Sequence, residues 1–224
     1  MGLYINSIIL KMPDNKISKI RPFGPSIAKV EIPKELVVQL NNFVDETIKD
    51  EKKSKTLDHG KQLAGDVKQE LRLETDFMDK IGWGKWLASS VGGWINMDRN
   101  VKITKFNILN SWIVRQFENE YNQSHTHSGH VSGVGYLKVP KNLGEPIQKE
   151  KANNSNGMLE LVYGSTGFLS DSVLKINPKV GDFYFFPNYL RHLVYPFRNT
   201  NEERRSVSFN ATIDENIYNS LDHG

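Results

Sequence analysis

The chain has 224 residues, 38% of them apolar and 25% charged, which suits one domain with a buried core and excludes a chain disordered by composition. It has no cysteine, so disulfide scaffolds, thiolate zinc sites, iron–sulfur clusters and cysteine nucleophiles are excluded, and any metal must be held by His, Asp or Glu. A net charge of +3, from 29 basic against 26 acidic side chains, is too small and too mixed for a nucleic-acid binder.

The opening MGLYINSIILKMPDNK has a short apolar stretch with no basic segment before it, unlike a secretory signal. No run approaches the roughly 20 apolar residues of a membrane span. The expectation is a soluble, cytoplasmic protein without a nucleic-acid or membrane partner. Residues 1–32 read as irregular or short-strand structure, broken by Pro22, Phe23, Gly24 and Pro25. Pro33 suits a first helical position, and Leu36, Val37, Leu40, Phe43, Val44 and Ile48 follow at helical spacing. The charged run Lys49–Lys55 is expected to end that helix, with a loop at Leu57–Gly60. A second apolar stripe, Phe77, Met78, Ile81, Leu87, Val91 and Trp94, predicts one or two more helices interrupted by glycines.

Near residue 100 the pattern changes. Short β-branched and aromatic segments recur between turn signals at 101–109, 112–117, 131–139, 158–163, 168–176, 182–187, 192–197 and 204–213. Such spacing predicts an antiparallel sandwich or barrel rather than a parallel α/β sheet. The predicted fold class is therefore mostly β with N-terminal helices (α+β). A helical segment 1–99 would pack on a β core 100–224 as one integrated domain, and 150–157 would be a flexible insertion.

Three of the six histidines lie in QSHTHSGH. On a strand, His125 and His127 face the same way, ~7 Å apart along the backbone, and could share one metal ion if a third ligand came from another strand. His192, in FFPNYLRHLVYP, is the best candidate; Glu160 or His130 could serve in place of His127. Imidazoles without thiolate suit iron, zinc, copper or nickel. Tyr121 and Gln123 share a face with His125 if its strand extends backward, which would put them at a substrate mouth. Twelve residues after His192, the strand RRSVSFN puts Arg204, Ser206, Ser208 and Asn210 on one face and Arg205, Val207 and Phe209 on the other. A polar face inside an apolar sheet suggests a ligand, and an Arg fork beside a hydroxyl suits a carboxylate. The bland alternative is a solvated face.

The order HTH, SGVGYLKVP, NGMLELVYG, PKVGDFYFFPNYLRH, RRSVSFN resembles the Fe(II)/2-oxoglutarate-dependent oxygenases, in particular the prolyl 4-hydroxylase-like oxygenases, some of them carried by phages. The resemblance covers roughly residues 100–213. It implies a double-stranded β-helix (a jelly roll, cupin-like) buttressed by helices, with Fe(II) as metal, 2-oxoglutarate as cosubstrate and ascorbate as a possible assisting reductant. It implies hydroxylation of an unactivated C–H bond in a small molecule or peptide, peptidyl proline being the analogy, with release of succinate and CO2. His125 and His192 match iron ligands, and Arg204 with Ser206 matches the Arg-x-Ser pair that holds the far carboxylate of 2-oxoglutarate. Tyr136 matches a tyrosine on the same carboxylate, and Leu159 would line the cosubstrate pocket. If phage-encoded, the protein would work in the host cytoplasm. The chain departs from the usual pattern at His127, where most of the superfamily has Asp or Glu. Two other readings remain: a cupin-type three-histidine metalloenzyme that does not use 2-oxoglutarate, better served by HTHSGH and worse by Arg204-x-Ser206, and a non-enzymatic jelly-roll binding module.

Overall fold

The computed structural model describes residues 23–151 and 153–220; the expectations for 1–22, and for Ala152 within the insertion, lie outside them. In chain order the elements are β1 (Ala28–Glu31), α1 (Lys34–Thr47), α2 (Glu51–Leu57), a 3-10 turn (Gly60–Gln62), β2 (Gly65–Asp66), β3 (Gln69–Arg72), α3 (Thr75–Ile81), α4 (Trp83–Arg99), β4 (Phe106–Gln116), β5 (Tyr121–His125), β6 (Val131–Lys138), β7 (Leu159–Val162), β8 (Val173–Ile176), β9 (Asp182–Pro187), β10 (Arg191–Val194), β11 (Arg204–Ile213) and α5 (Glu215–Tyr218). Two antiparallel sheets result, ordered β1-β9-β6-β11-β4-β3 and β2-β5-β10-β7-β8. From β4 onward the chain crosses between the sheets at nearly every step, which is the connectivity of a jelly roll.

The larger sheet carries two apolar faces of different character. Ile113, Val207, Phe209, Phe183 and Phe185 face the helices, where they join Leu36, Leu40, Phe43, Trp83, Leu87 and Val91 in one core. Full burial of each such side chain stabilises by about 1.5–3 kcal/mol. Val134, Leu159, Leu161, Ile176, Phe186 and Leu190 form a smaller cluster between the sheets. Gly133 shows why β6 is glycine-rich: a Cβ there would meet the Phe183 and Phe209 rings at 2.6 and 2.7 Å. Helix α1 is fastened electrostatically as well. Arg205 Nη2 meets Asp45 of α1 at 2.6 Å and Glu203 at 2.8 Å, and Asn41 Nδ2 donates to the Leu137 carbonyl of β6.

Several sequence expectations need correction. Pro33 caps α1 from outside rather than opening it. Helix α1 does end at Thr47, just before the charged run Lys49–Lys55, but the run is itself partly helical, because Asp50 accepts from the Lys53 amide and starts α2 within it. The predicted strands 101–109 and 112–117 are one strand, β4, whose edge partner β3 brings the N-terminal half into the sheet. Strands β2 and β3, of two and four residues, are too short to show a period-2 pattern.

Glu70 of β3 is an anomaly with a measurable consequence. It is 1% exposed, and its Oε2 has no hydrogen-bond partner. Burial, aided by the nearby Asp58 carboxylate, pushes its pKa up to about 7 from the usual 4.5. Below pH 4.5 Glu70 is neutral whether the chain is folded or unfolded. As pH rises through 7, the unfolded chain ionises more easily and the fold loses up to about 3 kcal/mol. Glu70→Gln should therefore raise the melting temperature at pH 8 and leave it unchanged at pH 4. Equal melting at both pH values would mean that Glu70 is solvated.

Candidate metal centre and active site

The sequence expectation that His125 and His192 converge holds in the strongest form available: they are directly paired across β5 and β10. Their rings lie 4.3 Å apart between centroids. His127 lies just past the end of β5, and a different device holds it in place. The β9–β10 turn grips its backbone twice, His127 N donating to the Asn188 carbonyl and Asn188 Nδ2 to the His127 carbonyl. Two residues on, Gly129 at φ +87° passes so close to β11 that a Cβ would sit 2.8 Å from the Ala211 carbonyl oxygen.

The three histidines offer ligand nitrogens that all lie within 4.8 Å of one another. Their tautomers are prepared for this. His125 Nδ1 contacts the Gln123 carbonyl at 2.7 Å and His192 Nδ1 the Leu190 carbonyl at 3.0 Å, so each Nδ1 carries the proton and each Nε2 turns its lone pair inward. His127 Nε2 stands 3.1 Å from His192 Nε2. Burial lowers all three pKa values, His127 down to about 3 with help from His192 and His125, and His192 down to about 4. At neutral pH the centre is thus three uncharged imidazoles facing one point, a donor set that suits iron and other first-row divalent metals.

Glu160 and His130 are not in this cluster. Glu160 accepts from the Tyr195 hydroxyl at 2.6 Å and lies near Lys175, while its neighbours Leu159 and Leu161 point into the barrel. His130 Nδ1 accepts from the Ile213 amide, and its ring stacks on Tyr218 at 3.8 Å.

From the metal centre the cavity runs along the inner face of β11. Arg204, Ser206 and Ser208 line it, and their partners on β4 (Gln116, Val114 and Trp112 respectively) line it beside them. A solvated face is therefore excluded, since Arg204 is 1% exposed. Asn210 shares that burial but accepts a hydrogen bond from Ser132 Oγ and does not line the cavity. Leu159 does line it, with Val134, Phe186 and Val194.

Arg204 decides the chemistry of this cavity. Among the described residues no carboxylate pairs with it; its one side-chain hydrogen bond donates from Nη1 to Gln116 Oε1 at 2.6 Å. Its Nε is buried without a partner, as is the Tyr136 hydroxyl, and the Tyr136 ring centroid lies 5.1 Å from the guanidinium carbon. Burial pushes the Tyr136 hydroxyl up to about 12, so it is a protonated donor. A buried cation beside two orphaned donors is electrostatically incomplete, and an incoming carboxylate would complete it.

Two expectations fail on local geometry. Tyr121 and Gln123 do not share a face with His125, because β5 bulges: His125 pairs with His192 but Asn122, not Gln123, pairs with Val194. Asn122 lines the cavity as a result, while Tyr121 and Gln123 are exposed. Trp112, which reads from the sequence as a core residue, lines the cavity with its ring centroid 5.8 Å from that of His127, and Gln116 carries no sequence signal of its own. The parity of β4 against Ile113 contains both.

Residues 110–210 match the family described as "Putative 2OG-Fe(II) oxygenase". No curated protein sequence matches the chain. Among solved structures it is similar to a prolyl-4-hydroxylase from Pseudomonas putida at 16% identity and TM-score 0.53, with 82% of this chain and 91% of that chain covered. It is similar to HygX from Streptomyces hygroscopicus, solved with nickel, 2-oxoglutarate and hygromycin B bound, at 12% identity and TM-score 0.53, covering 85% of this chain and 84% of that one. A prolyl hydroxylase from Trichoplax adhaerens, in complex with a peptide fragment, aligns at 15% identity and TM-score 0.50 over 87% of each chain. At such identities the likeness is one of fold. The stretch that carries the histidine cluster and the Arg204 cavity lies within residues 110–210, so the match to the 2OG-Fe(II) oxygenase family, which covers under half of the chain, falls on the candidate site itself.

Proposed function

We propose that His125, His127 and His192 hold Fe(II), that Arg204, Ser206 and Tyr136 hold the far carboxylate of 2-oxoglutarate, and that the protein hydroxylates an unactivated C–H bond of a peptide, with proline the favoured residue. The observation that carries this reading is the coexistence, in one cavity, of three converging neutral imidazoles and a buried guanidinium with no acidic partner. With dioxygen as the oxidant, bound Fe(II) and 2-oxoglutarate would supply oxidative decarboxylation to succinate and CO2, one oxygen atom of O2 ending in the succinate carboxylate and the other in the hydroxylated substrate. The chain's own residues do the rest. Arg204 donates to the carboxylate through a charge-assisted hydrogen bond, the Ser206 and Tyr136 hydroxyls donate beside it, and this fixes how far the cosubstrate's other end reaches toward the imidazoles. Trp112, Val134, Leu159, Phe186 and Val194 wall the cavity and exclude water, which strengthens each of those contacts.

His127 in place of a carboxylate leaves the centre one charge more positive than the 2-His-1-carboxylate arrangement. The dianionic cosubstrate suits that charge. The proline assignment draws on the prolyl hydroxylases among the fold neighbours and on nothing in the cavity's chemistry.

Incubation with Fe(II), ascorbate and 2-oxoglutarate, without prime substrate, should release succinate slowly, and proline-containing peptides should accelerate it and gain one oxygen atom by mass. Metal binding without succinate would favour a cupin-type enzyme acting directly on its substrate. Neither metal binding nor succinate would leave a binding module.

A further inference from the structure

The geometry points to Gln116 as the residue that keeps Arg204 aimed into the cavity and electrostatically unspent, so that its charge is reserved for the cosubstrate carboxylate. This rests on the reading of Arg204 given above. Gln116 is 2% exposed and stands opposite Arg204 in the β4–β11 register. Both ends of its amide are committed. Nε2 donates to the Glu120 carbonyl at 2.5 Å, and Oε1 accepts from Arg204 Nη1 at 2.6 Å. The first bond orients the amide, since only the oxygen can then face the guanidinium.

The anchoring carbonyl is itself held rigidly. It belongs to the β4–β5 turn, where Asn119 adopts a left-handed φ of 64°. The Glu120 carboxylate accepts from the Phe117 and Lys68 amides, each at 2.8 Å. Arg204 is therefore tied through Gln116 to a fixed turn. Nη1 is occupied, while Nε remains unpartnered.

The identity of the residue matters because a glutamate has the same shape. Glutamate at 116 would place a carboxylate at hydrogen-bonding distance from Arg204 and satisfy the guanidinium within the fold. An aliphatic residue would leave the guanidinium charged but free to rotate. A neutral acceptor is the choice that both orients the charge and leaves it available.

The test uses the full-length protein loaded with redox-inert Ni(II), and calorimetric titration with 2-oxoglutarate and with 2-oxopentanoate, a 2-oxo acid of the same length that lacks the far carboxylate. The parent should prefer 2-oxoglutarate strongly. Gln116→Glu should weaken 2-oxoglutarate by about 30-fold or more, the scale of a spent charge partner, and leave 2-oxopentanoate nearly unchanged, so that the preference collapses. Gln116→Met should weaken 2-oxoglutarate by about 10-fold, on the scale of one misaligned charged hydrogen bond. Ni(II) affinity should stay within about two-fold of the parent in both. In an Arg204→Met background, Gln116→Glu should have no further effect on 2-oxoglutarate, because the two residues act as one unit. Equal weakening of both acids by Gln116→Glu, or no weakening, overturns the proposal. If Arg204→Met itself leaves 2-oxoglutarate binding intact, Arg204 is not the anchor, and that outcome is separate from any result at position 116. Should Gln116→Glu fail to fold by circular dichroism, the Gln116→Met result and its cycle with Arg204→Met decide alone.

Discussion

His127→Ala is expected to lower Fe(II) and Ni(II) affinity by at least about 100-fold, because loss of even a residue that only supports a metal ligand costs 10–100-fold. His127→Asp is expected to keep the metal, since a carboxylate at this place recreates the common 2-His-1-carboxylate set. The pair separates coordination from packing. His127 touches Trp112 and His192, so truncation to alanine also opens a void in the cavity wall. Aspartate leaves a similar void but restores a donor atom. Titration of metal-free protein, followed by heat or by the d–d absorption of Ni(II), gives the affinities directly. An alanine variant that binds metal as tightly as the parent would mean that His125 and His192 recruit another third ligand, and the all-imidazole centre would be wrong.

Metal-ligand spacing was legible in the sequence only in part. His125 and His192 can be paired on paper because His125 precedes a glycine-rich strand and His192 lies in a short strand entered through a proline turn. His127 was chosen for strand parity, yet it stands beyond β5 and reaches the centre through the Asn188 backbone clamp and the Gly129 turn. Strand parity puts His127 beside His125, and the structure brings the two together by a different geometry. The same assumption of an unbroken strand failed two residues earlier, where the β5 bulge exchanges Gln123 for Asn122 in the cavity. Nothing in YNQSH announces that bulge, since every residue in it is polar and either register is tolerable. By contrast, RRSVSFN was readable because its two faces differ so much: Val207 and Phe209 must meet the helices, which sends Arg204, Ser206 and Ser208 inward. The β4 residues opposite them were within reach by the same logic. Trp112 and Gln116 share one parity within the predicted segment 112–117, but only the pairing of β4 with β11 shows that this face lies opposite Arg204 and Ser208. Strands β2 and β3 were beyond any pattern argument. They gain their place from pairing with β5 and β4, a tertiary effect with no local signature.

Arg204→Met should separate function from stability more sharply than any other single change. The guanidinium is fully buried and its burial lowers its pKa, the sign of a charge that its surroundings do not balance. Without cosubstrate the folded protein bears that cost, and its returns from the protein are a hydrogen bond to Gln116 Oε1 and the Tyr136 ring. Methionine fills most of the same volume without charge. Exchange of buried charges for apolar side chains stabilises by about 1–4 kcal/mol in comparable settings, and leaving Gln116 Oε1 unpaired takes back about 1–3 kcal/mol. The melting temperature of the cosubstrate-free variant should therefore equal or exceed that of the parent. Binding moves the other way. Removing one partner of a buried charge-assisted contact costs about 2–5 kcal/mol, so the Michaelis constant for 2-oxoglutarate should rise between about thirty-fold and several thousand-fold. Metal affinity should hardly move, since Arg204 is not among the clustered ligands. In the parent, added 2-oxoglutarate should raise the melting temperature, and in the variant it should not. A variant that melts well below the parent and binds the cosubstrate normally would place Arg204 among the residues that hold the barrel together, and the cavity would need another occupant.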